Sequence, residues 1–204
     1  MKSIIENEKA IKNEYTDESG RVCVRSNILI PEFGKEYAEI TGFYAGIASS
    51  FEKYLSRSLV KKISKFAEKD DFAPYGGVMK YKNTFENDKY ISVIIDVHIF
   101  DGRKRSGKMR LSHVWSKSEK RVTCFRDFYT RPDRDRLVGL FTAEAEKRER
   151  EGIGEYKRNI ASLIRSKTDF SRFYLVPDGI SFYFAPYELT ESGYPEVFID
   201  KREM

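Results

Sequence analysis

Two histidines, His98 and His113, and two cysteines, Cys23 and Cys124, are the scarcest chemistry-bearing side chains of this 204-residue chain. A zinc site needs three or four converging ligands, and the sequence has neither a CxxC pair nor a His-x-x-x-His helix pair. His98 falls on the polar face of a predicted strand beside Asp96, whereas His113 falls on the apolar face of the next strand beside Trp115. Ser112 shares the face of Asp96 and His98 if that hairpin pairs in even register, a grouping that could relay a proton. No glycine elbow presents it as a nucleophile. Phosphate loops are missing too: Gly76-Gly77 is not followed by Lys-Ser/Thr, and Gly152-Ile153-Gly154 lacks a third glycine and a preceding strand. No carboxylate pair is nominated for glycoside hydrolysis. The expectation is a chain that is not an enzyme, with no catalytic residue, metal ligand or cofactor assigned.

Charge is what remains. Between Asp101 and Arg126 nine basic residues stand against two acids, a local +7 where the whole chain carries +5. Arg103, Lys104 and Arg105 crown the predicted hairpin tip, and Lys108 and Arg110 share the outward face of the following strand. These five are the candidate anion- or partner-binding residues. A polyanion such as nucleic acid or an anionic glycopolymer would be attracted there, and the same charges also protect a strand edge from unwanted pairing.

The elements that must position these residues follow from periodicity. Residues 1–20 are polar and read as flexible or loosely helical, leaving 21–204 as a single domain. Val22–Ile30 alternates as a strand, with Pro31 expected to stop it. From Lys35 to about Lys69 apolar residues recur at steps of three and four (Ile40, Tyr44, Ile47, Phe51, Leu55, Leu59, Ile63), predicting one long amphipathic helix. Gly42 and Gly46 within it suggest close packing on a sheet. After a break at Asp70–Gly77, strands are expected at Val78–Thr84, Tyr90–Phe100 and Lys108–Lys117. The last two form a hairpin whose paired residue numbers must sum to an even value if both apolar faces are to meet one core. Asp133 or Asp135 can cap a helix with Leu137, Leu140 and Phe141 inside, and a second helix, Glu155–Lys167, buries Tyr156, Ile160, Leu163 and Ile164. Phe173–Leu175 and Ile180–Phe184 flank a Pro177-Asp178-Gly179 turn, with Gly179 free to take positive φ, and Pro195–Asp200 adds a strand. The fold class is α+β: a mainly antiparallel sheet packed by one long N-terminal helix and a C-terminal helix pair.

Hydrophobic content of 40%, with 15 Phe and 13 Tyr, is ample for a core, and the 34% charged residues are mixed in sign, which argues against disorder. Glu6 and Glu8 interrupt any signal-peptide run, and no window nears 18 apolar residues. The chain as given therefore reads as cytoplasmic without a membrane span. Cys23 and Cys124 read as buried free thiols in strands.

The C-terminal order of FYL, PDG, a hydrophobic strand, PYE and PEV from Phe173 to Ile199 resembles the uncharacterised domain of RsiV-type anti-sigma factors and the non-catalytic domain of PdaC-like polysaccharide deacetylases. The likeness is strongest over residues 106–200. It implies a sensor-like domain that binds an unknown protein or a cell-wall-type ligand, in relatives that are usually extracytoplasmic. At the hairpin, where that family carries a Gly-Gly-Ala-His-like turn, this chain reads Asp101-Gly102-Arg103-Lys104. Two readings thus stand: a non-enzymatic ligand- or protein-binding domain, or a cytoplasmic nucleic-acid or polyanion binder using the basic hairpin 101–126.

Overall fold

A computed structural model describes residues 3–67, 72–102, 104–128, 134–153, 156–190 and 195–200. Arg103, Asp133 and Glu155 lie outside them. The chain divides into two compact units, Met1–Lys82 with Ile95–Arg110 and Asn83–Ile94 with Leu111–Met204. A six-stranded sheet runs in the order β1-β2-β3-β4-β5-β6, and a three-stranded sheet in the order β7-β8-β9. The fold is α+β with a mainly antiparallel sheet.

In the first unit, β1 (Ile5–Thr16) and β2 (Val22–Phe33) form a long antiparallel hairpin. This corrects the expectation of a flexible or helical N-terminus: β1 is polar because almost all of it is exposed, which periodicity alone cannot tell from a loop. Pro31 does not end β2. The parallel ladder from β2 to β3 (Tyr75–Glu86) stops at Ile28–Met79, so beyond Ile28 only β1 pairs with β2. The long helical run is also more broken than expected. A short 3-10 turn, Lys35–Tyr37, leads into α1 (Ala38–Lys53), a π-helical turn over Tyr54–Leu59, α2 (Val60–Ile63) and a second 3-10 turn, Ser64–Phe66. The π turn adds one residue to the helical period, so that Leu55, Leu59, Val60 and Ile63 all turn inward onto Cys23 and Val24. Gly77, expected in a break, sits inside β3, where a Cβ would lie 2.5 Å from Leu55 Cδ1. Gly42 and Gly46 do not pack on the sheet: both are exposed, and a Cβ on either would meet nothing within 4 Å.

Strands β4 (Tyr90–Asp101) and β5 (Lys104–Ser116) are longer than predicted, leaving a tight turn where a seven-residue loop was expected. Their register is even. Arg110 grips Asp96 and a Cβ on Gly107 would touch Ile99 in the first unit, while the Lys117 N–H donates to the Lys89 carbonyl at 2.8 Å in the second; each pair of numbers has the same even sum.

The second unit is built on aromatic packing. Phe125 stacks on Phe170 at 5.5 Å and meets Phe182 edge-on at 4.9 Å. Around them close Leu137, Val138 and Phe141 of α3 (Arg134–Arg150) and Ile164 of α4 (Ile160–Lys167). The helix after Gly154 starts later than predicted because Asn159 sits in the left-handed region at φ 61°. Cys124, expected buried in a strand, is exposed and opens a 3-10 turn, whereas Cys23 is buried. Strands β7 (Phe173–Val176), β8 (Gly179–Tyr183) and β9 (Glu196–Asp200) pair antiparallel. Gly179 has no positive φ; it is needed because a Cβ would lie 2.0 Å from the Ile199 carbonyl oxygen of β9.

The two kinds of glycine predict opposite outcomes. Gly179→Ala forces β8 from β9 and should cost about 1–3 kcal/mol or more. Gly42→Ala, in an open helical position, should stabilise by about 0.5–1 kcal/mol. Urea unfolding of both variants checks the pair, and equal destabilisation would contradict the packing described here.

Candidate functional site

In a strand, successive side chains alternate between faces. Gly77 and Met79 of β3 point toward buried apolar surroundings, Gly77 beneath Leu55. Gly76, Val78, Lys80 and Lys82 therefore take the opposite, outer face. Contact between Gly76 and Phe100 carries that face onto β4, where Asp96 and His98 share it, and the Asp96–Arg110 pair carries it onto β5 with Lys108. On the other side the parallel register sets Arg25 beside Gly76 and Asn27 beside Val78, and β1 places Glu14 opposite Arg25 and Lys12 opposite Asn27. Five strands of one unit thus share a single face carrying Lys12, Arg25, Lys80, Lys82, Lys108 and Arg110.

Several of the cations counted in the sequence are engaged by acids. Arg110 donates from Nε and Nη2 to the two oxygens of Asp96 at 2.7 and 2.9 Å. Lys117 meets Glu86 at 2.8 Å with both side chains nearly buried, and Arg121 meets Glu119 at 2.6 Å and Asp127 at 3.1 Å. The local +7 is correspondingly reduced. Of the five candidates, Arg103 lies outside the described residues. Lys104 and Arg105 are exposed at the start of β5, with the Arg105 guanidinium 5.8 Å above the Phe100 ring. Lys108 is half-buried, and burial first, then the nearby Arg105 charge, pushes its ammonium below the usual lysine range. Arg110 is an anchor within the sheet.

The sequence reading missed Lys12, Arg25, Lys80 and Lys82. Lys80 and Lys82 stand at alternate positions of a predicted strand, which was a signal, but their face could be assigned only once the neighbours of β3 were known. On the same face Glu14 holds Arg25 at 2.8 Å, and Lys12, Lys80, Lys82 and Lys104 have no ion pair among the described residues.

Burial lowers both imidazoles below their usual range. His98 lies below the usual imidazole range through burial first and then Arg105, with Asp96 pulling the other way and Lys108 and Arg110 adding to the downward push. Its buried Nδ1 has no hydrogen-bond partner, and neither has the buried Oδ1 of Asn27. Because Asp96 is held by Arg110 and Ser112 donates to the Tyr183 hydroxyl at 3.3 Å, the Asp96, His98 and Ser112 grouping forms no relay. Burial pushes the His113 imidazole down from 6.5 to about 4. Among the described residues no three His, Cys, Asp or Glu side chains gather where they could hold a metal ion, and no helix is long and apolar enough to cross a membrane.

The unfolded chain protonates His113 near pH 6.5 and the folded chain only near 4, so stability should fall as pH drops through that window, by up to about 3 kcal/mol. Denaturant unfolding at several pH values should show a shallower acid loss for His113→Phe than for the wild type. Identical profiles would contradict a buried, neutral His113.

No family model matches the chain, and no curated protein matches it. Solved structures do share its fold. A DUF3298 family member from Bacteroides fragilis is 16% identical with a TM-score of 0.59, covering 97% of this chain and 91% of that one. A DUF3298 family protein from Pseudomonas aeruginosa PAO1 is 12% identical with a TM-score of 0.61, over the same shares of the two chains. At these identities the likeness is one of fold.

Proposed function

We propose that the chain is a non-catalytic binding module whose ligand is an extended polyanion laid across the outer face of the first unit's sheet. The observation that carries this reading is convergence. Cations from β1, β3 and β5 occupy one exposed face, while two of the acids that share it, Glu14 and Asp96, are held by Arg25 and Arg110. Each neutralised phosphate or sulfate releases condensed counterions, which drives association without demanding a deep pocket. Phe100 and His98 lie among these cations, and flat rings beside charge suit a ligand that alternates anionic groups with stackable or apolar ones.

The reading joins the binding-domain expectation to the polyanion one and revises the residues. Lys80, Lys82 and Lys104 take the leading role, Arg105 adds charge beside Phe100, Lys108 contributes from a half-buried position, and Arg110 fixes the register of the strands that carry them. A kinship with the RsiV-type domains adds an extracytoplasmic ligand to the proposal, for which an anionic wall glycopolymer has the required chemistry. A basic protein partner would need a different surface.

The test is a titration of a labelled single-stranded oligonucleotide and a labelled glycerol-phosphate polymer against the wild type and a variant with Lys80, Lys82, Lys104 and Arg105 changed to Ala. Loss of four phosphate contacts should flatten the log–log salt dependence by about 3 units for a single strand. Tighter binding of one polymer identifies the source of the anion. Unchanged affinity and unchanged salt slope in the variant for both polymers would overturn the proposal.

A further inference from the structure

A second cationic site lies elsewhere in the first unit, where the β1–β2 turn faces the helical run. There the turn residues 16–21 and helical residues 56–65 enclose an open cleft of about 730 Å³, within the size range of small-molecule sites. Arg57, Lys61 and Lys65 line it at intervals of four, one helical turn apart, so all three project along one side of the helix. None of the three forms an ion pair among the described residues; Lys65 Nζ sits 5.7 Å over the Phe66 ring. Like charges at this spacing repel one another and destabilise the bare helix, so an anion in the cleft would relieve a cost already present.

The cleft's other groups sort into engaged and available. Asp17 is held by its turn: its Oδ1 accepts from the Ser19 N–H at 2.9 Å, the Ser19 hydroxyl at 2.6 Å and the Arg21 N–H at 3.0 Å. Those bonds keep its carboxyl below the usual range. The Arg21 guanidinium donates to the Ala67 carbonyl. Glu18 is the one lining acid without such a bond, and it opposes three cations. The Ser56 and Ser64 hydroxyls are engaged as well, donating to the Lys53 and Lys61 carbonyls at 3.4 Å, and Thr16 also lines the wall. The π turn at Tyr54–Leu59 supplies Ser56 and Arg57 to this wall, and π turns inside α-helices recur at functional sites.

We propose that this cleft binds a compact anion carrying two or more phosphate groups, with Arg57, Lys61 and Lys65 as its charge partners. Three cations along one side of a helix match several charges on one ligand better than a single carboxylate, and a cleft of this volume has the size of a small-molecule site. The inference is independent of the outer sheet face.

The experiment is isothermal titration with inorganic tripolyphosphate and pyrophosphate, with sulfate at matched ionic strength as the control for a general salt effect. Wild type is compared with Arg57→Gln/Lys61→Gln/Lys65→Gln, with Glu18→Gln and with Lys147→Gln/Lys167→Gln on the helices of the second unit. The proposal expects saturable binding of the polyphosphates, a loss of about tenfold or more in the triple variant, tighter binding in Glu18→Gln and no change in the second-unit variant. All the substituted side chains are exposed, so folding should persist; if the triple variant fails to fold, the direction of the Glu18→Gln effect decides. No saturable binding by the wild type, equal affinity in the triple variant, unchanged or weaker binding in Glu18→Gln, or loss confined to the second-unit variant would overturn it.

Discussion

The constraint on which the site depends is the alternation of β3, β4 and β5 in an even register. A one-residue slip would send the lysines of β3 or β5 toward the core, or Ile95, Val97 and Ile99 of β4 to water, a cost no surface charge could offset. The Asp96–Arg110 pair marks that register on the outer face. It is bidentate and only partly exposed, at 26% and 12% for the two side chains, which makes it a geometric pin more than a large source of stability. Removing one partner would leave the other charge half-desolvated on a strand that has no freedom to move. The same pin engages both Asp96 oxygens with Arg110, and His98 lies below its usual range, chiefly through burial and then Arg105, even with Asp96 pulling the other way.

The face that is open in the first unit is closed in the second. Ser92 accepts a hydrogen bond from Thr84 at 2.8 Å and another from the Leu175 N–H at 3.0 Å, and Ile94 packs with Tyr174 and Tyr183. These residues continue the parity of Asp96 and His98 along β4, yet they are buried under β7 and β8. One strand therefore carries two environments on one face, and the centre of β4 is buried on both sides from Ile91 to Ile95.

Much of this was legible in the sequence, and the failures have physical causes. The strand pair β4–β5 and its even register followed from the alternation of Ile91, Val93, Ile95 and Val97, because register and burial are linked. The hairpin at Phe173–Tyr183 followed from its turn residues. β1 was missed because an exposed strand leaves no apolar period to read. Gly179 was assigned the wrong reason: a turn glycine next to a strand usually signals positive φ, whereas here a neighbouring carbonyl needs the space. The basic hairpin was overcounted, since Arg110, Lys117 and Arg121 have acid partners that only folding brings near. It was also undercounted, since Lys12, Lys80 and Lys82 join it across strands far apart in sequence.

The central claim is that one face of the first unit's sheet, set by strand parity, receives the ligand. Amide-resolved NMR during titration with a short phosphodiester oligomer tests it most directly. The account predicts that perturbed resonances map to β3 from Gly76 to Lys82 and to the paired segments around His98 and Lys108, with the interior of α1 unmoved. Perturbation confined to α1, or to the β7–β9 sheet with β3 silent, would contradict it.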